Sequence, residues 1–89
     1  MCPNESFRLE NTSVKEVEDV LKNLGFKSKF DNWCYVNNEK SVLEVSVYKI
    51  SNAETCVLVF FSETEKKTWE KIKLEMSVLG INLVYDFKS

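Results

Sequence analysis

No histidine occurs in this chain of 89 residues, so proton transfer at neutral pH would have to run through carboxylate, lysine, tyrosine or cysteine. The cysteines are Cys2, Cys34 and Cys56, an odd set with wide spacing and no C-x-x-C pair. Such a set composes neither a disulfide framework nor a zinc-ligand cluster. Cys34 and Cys56 fall within apolar runs, where a thiol behaves as a small hydrophobe. The two glycines, Gly25 and Gly80, each stand where a helical pattern ends, which leaves none for a phosphate-binding loop. The fourteen acidic residues are mostly interleaved with lysine or placed between elements, and none forms a recognisable catalytic pair. We therefore expect no catalytic site, no metal site and no cofactor, and a protein that is not an enzyme.

Charge narrows the partners. Twelve basic against fourteen acidic residues leave a net charge of −2, spread without a basic arm or an acidic tail. All the basic residues but Arg8 are lysines, and phosphate and base recognition usually lean on arginine forks. The longest apolar run, Cys56–Phe61, is far short of the about 20 residues that cross a bilayer. Met1-Cys2-Pro3-Asn4-Glu5 lacks the basic start and apolar stretch of a secretory signal. The expectation is a cytoplasmic protein of one domain, residues 1–89, with residues 1–5 as a flexible N-terminus.

The elements that would position a site are legible in the apolar spacing. Val14, Val17, Leu21 and Leu24 recur at helical intervals behind Ser13, and Ser13 with Glu16 reads as a capping box. A second helix over about Glu63–Leu79 carries Trp69, Ile72, Met76 and Leu79 on its stripe, widened by Leu74 and Val78, with Ser62 and Glu65 as its capping box. Between the helices lie three strand patterns, Phe26–Val36 with an expected break or bulge at Asp31-Asn32, Val42–Ile50 and Cys56–Phe61, joined by the short polar links Asn37–Lys40 and Ser51–Glu54. They predict an antiparallel three-stranded meander. Ile81–Phe87 alternates as a last strand, and the helix before it suits a crossover that runs parallel to the third strand, making the sheet mixed. Phe7 and Leu9 suggest an initial edge strand. The fold class is α+β, in the order (β)αβββαβ.

Alternation assigns faces. Phe26, Phe30, Cys34, Val36, Leu43, Val45 and Val47 are expected on the core side, and Trp33, Tyr35, Val42, Glu44, Ser46, Tyr48 and Ile50 on the other. If both helices pack on one face, the second set forms an exposed aromatic surface. If they cover opposite faces, Trp33 and Tyr35 are core. Exposed aromatic surfaces mark association sites. The expected function is thus docking on a partner protein through Trp33, Tyr35, Glu44 and Tyr48. Small acidic α+β chains of this sort include inhibitors, immunity proteins, antitoxins and phage accessory proteins. The alternative is a nucleic-acid-binding or regulatory domain using Lys66, Lys67, Lys71 and Lys73, or the aromatics for base stacking. A symmetric homodimer through the aromatic face is a third expectation.

Overall fold

Both helices end where glycine relieves the backbone. Gly25 and Gly80 adopt φ 98° and φ 93°, in the left-handed region closed to most side chains. After the first, the Phe26 amide reaches back to the Leu21 carbonyl and the Gly25 amide to Lys22. After the second, Ile81 reaches Met76 and Gly80 reaches Ser77 by the same pattern. Each is a Schellman motif, and the apolar pair that closes it (Leu21 with Phe26, Met76 with Ile81) is buried.

The computed structural model describes residues 2–37 and 40–88. Its elements are β1 (Glu5–Glu10), α1 (Val14–Asn23), β2 (Lys27–Lys29), β3 (Asn32–Asn37), β4 (Val42–Ser51), β5 (Glu54–Phe61), a 3-10 turn (Glu63–Glu65), α2 (Lys66–Val78) and β6 (Val84–Lys88). The six strands form one sheet in the order β2-β3-β4-β5-β1-β6, with every pair antiparallel. The chain is α+β with two helices. The meander is one strand longer than expected, β2 to β5, and Asn38 and Glu39 of the link before β4 lie outside the described residues.

The sheet is antiparallel throughout, not mixed. β1 is no edge strand but lies between β5 and β6 and pairs with both. β5 and β6 do run in the same direction, each opposed to β1, so β5-α2-β6 is a crossover straddling an inserted strand. Of the residues expected to be flexible, Asn4 and Glu5 are held by this insertion. Asn4 donates its amide to Val59, its side-chain oxygen accepts from Phe61, and Glu5 is 2% exposed.

One core joins both helices to one side of the sheet. Val17 and Leu21 of α1 and Trp69, Ile72 and Met76 of α2 pack with Phe7, Leu9, Leu43, Val45, Val57 and Val59. The strand members share one face by register, Phe7 opposite Val57 and Val45 opposite Val59. The opposite face carries no helix among the described residues.

The expected helix starts divide. Ser13 caps α1, its hydroxyl accepting from the Glu16 amide at 3.1 Å. Ser62 makes no such bond to its own helix; its hydroxyl accepts from the Val42 amide at 3.0 Å and ties the turn before α2 to β4. Leu74 and Val78 do not widen the α2 stripe, being 70% and 86% exposed.

Candidate functional site

The open face can be followed row by row across the central strands. Tyr48 of β4 is opposite Cys56 of β5, Cys56 is opposite Arg8 of β1, and Arg8 is opposite Val84 of β6. The next row runs Ser46, Leu58, Ser6 and Phe87. Beyond it Glu44 lies between Cys34 of β3 and Phe60 of β5. Asp86 is the extra residue where the β1–β6 register shifts. Arg8 reaches it at 3.5 Å and Glu54 at 3.7 Å, so the three charges share the face.

The large side chains on this face are only partly covered. Tyr48, Val84 and Phe87 are between 47% and 54% exposed, and Leu58 and Phe60 beside them are half-buried. The small ones, Ser6, Cys34 and Cys56, are buried at the sheet surface among their larger neighbours. Burial, and after it the Glu44 carboxylate, pushes the Cys34 thiol pKa up, which disfavours the reactive thiolate. Tyr48 is also raised, first by its hydrogen bond with the Cys56 thiol and then by burial.

Two of the four residues expected on this surface are elsewhere. Phe30 and Asp31 form a two-residue turn joining β2 to β3, with Lys29 opposite Asn32 and Ser28 opposite Trp33. Paired residues share a face, so the turn reverses the parity that one continuous strand from Phe26 would have had. Trp33 therefore lies in the core, 8% exposed, its indole N–H donating to Glu18 at 3.0 Å. Tyr35 also faces the helix side, its ring 5.1 Å from that of Phe26. Phe30 and Cys34 change the other way. Phe30 is at the turn with φ 55° and 92% exposure, and Cys34 is on the open face. The side chain of Val36 lies outside the described residues. Glu44 and Tyr48 hold the positions expected of them.

The lysine set divides too. Lys66, Lys67 and Lys71 are exposed on α2, but Lys73 turns inward. Its ammonium is 3.2 Å from the Glu5 carboxylate and 3.0 Å from Glu70, and it bonds the Tyr85 hydroxyl. The same Glu5 oxygen accepts from the Trp69 indole at 2.8 Å and from Tyr85 at 3.3 Å. Burial works against the Lys73 charge, but the bonds to Tyr85, Glu70 and Glu5 outweigh it and hold its pKa above the ordinary lysine value. This is a satisfied cluster that fastens α2 and β6 to β1. Sequence reasoning missed it because nothing local marks Glu5 as buried.

An open hollow of about 570 Å³ lies between the β1–α1 link and the β4–β5 turn, with Lys15, Glu16, Lys49 and Glu54 around it. Among the described residues no group of cysteines and carboxylates is placed to hold a metal ion. Among the same residues no helix is long and apolar enough to cross a membrane. No protein-family model matches the chain, and a search of curated proteins finds no match.

Proposed function

We propose that this chain is a small non-enzymatic binding module, cytoplasmic, that acts by docking a protein on the open face of its sheet. An inhibitor, an immunity or antitoxin protein and a phage-type accessory protein all work in this way. The observation that carries the reading is the half-exposed apolar set Tyr48, Val84 and Phe87, flanked by Leu58 and Phe60 on a face that carries no helix among the described residues. Aromatic residues in a partly apolar surface with a charged rim suit protein association. The docking set is therefore Tyr48, Glu44, Leu58 and Phe87, with Trp33 and Tyr35 left out.

Affinity capture from the native host with paired variants tests it. Tyr48→Ala/Leu58→Glu should fold normally and lose the captured protein, whereas Lys66→Ala/Lys67→Ala should keep it. Loss in the lysine pair alone, with binding that weakens steeply as salt rises, would instead favour a nucleic-acid surface.

A further inference from the structure

We infer that the protein seated on the open face is a second copy of this chain, related by a two-fold axis that runs along the strands between β4 and β5. The inference rests on reading that face as a protein-docking surface. Six strands at ~4.8 Å spacing, each rising ~3.3 Å per residue over about six residues on average, give a plan area of about 600 Å². That approaches the roughly 800 Å² per partner of a stable interface.

Charge selects the axis. The half of the face built from β2, β3 and β4 carries Lys27, Lys29 and Glu44, two positive charges against one negative. The half built from β5, β1 and β6 carries Arg8 with Glu10, Glu54 and Asp86, one positive against three negative. With six strands in the order β2-β3-β4-β5-β1-β6, the middle of the sheet is the boundary between β4 and β5. Rotation about an axis lying along that boundary sets β4 over β5, β3 over β1 and β2 over β6. The net positive half of each copy then covers the net negative half of the other. Rotation about an axis across the strands would set β2 over β2 and bring the lysines together.

Shape agrees with charge. At the centre, Tyr48 is paired with the small Cys56, and Leu58 with the small Ser46. The same rotation lays Tyr48 of one copy over Cys56 of the other, and Leu58 over Ser46, so large side chains meet small ones. Two aligned sheets packed face to face make a four-layer α/β/β/α assembly whose interface contacts are each made twice.

Sedimentation of the full chain over a micromolar concentration series tests this. The expected result is a monomer of 10.4 kDa passing to a species of twice that mass. Tyr48→Ala/Leu58→Glu should remain monomeric throughout, with an unchanged far-ultraviolet circular dichroism spectrum. Lys29→Glu should weaken the dimer by about tenfold, as should Asp86→Lys, and the double variant should regain most of the loss. A wild-type chain that stays monomeric, or a dimer indifferent to Leu58→Glu, overturns the inference. A monomer that still loses its host partner on Leu58→Glu overturns the self-pairing and leaves the docking face standing. If capture is also unaffected, both fail.

Discussion

Glu5 is the charged residue that is buried among the described residues. Its carboxylate is 2% exposed and accepts from Trp69, Lys73 and Tyr85 through one oxygen. Removing one member of a buried pair strands the other, so Glu5→Ala should cost about 3 kcal/mol in chemical denaturation. Lys73 adds a dependence on pH. Its folded pKa lies above the ordinary value of 10.5, so the stability it contributes is complete below that value. It falls as pH rises through the folded pKa. Denaturation midpoints measured from pH 8 to 12 should show this alkaline decline, and Lys73→Met should flatten it. None of it was legible in the sequence, because Glu5 precedes a pattern with only two apolar residues, Phe7 and Leu9. What makes Glu5 a core residue is an indole 64 positions away.

At the scale of elements, the legible features were local ones. Gly25 and Gly80 announce the ends of both helices because a positive φ is a property of one residue. Ser13 announces a beginning because its partner is three residues on. At Phe30 only an interruption was legible, from Asp31-Asn32; that it is a full reversal starting at a phenylalanine, which carries no turn signal, was not, and yet it sets the face of everything in β3. These two kinds of turn should respond oppositely to substitution. At Gly80 an added Cβ would meet nothing within 4 Å, so Gly80→Ala should lose about 1 kcal/mol from backbone strain alone. Phe30 stands at φ 55° with its ring in solvent, so Phe30→Gly should be neutral or slightly stabilising. Thermal melts of the two variants give the comparison directly.

At the scale of the molecule, the α+β class followed from the helix and strand periods, but the strand order did not. Alternation shows which residues share a face of one strand and is silent on which strand lies beside it. The insertion of β1 between β5 and β6 depends on pairing over 44 residues or more, as between Glu10 and Glu54. α2 passes over β1 on the side where α1 lies, and this leaves the other face open.

That insertion has a mechanical consequence. The first residue of β1, Glu5, is paired with the last residue of β6, Lys88, in antiparallel sense. A force pulling the two ends of the chain apart therefore acts across the strands and loads their hydrogen bonds one at a time, like a zipper. In single-molecule stretching between residues 2 and 88, β6 should peel first and at low force. A molecule stretched between Glu10 and Lys88 should hold longer, because that geometry shears the β1–β6 ladder and loads its bonds together.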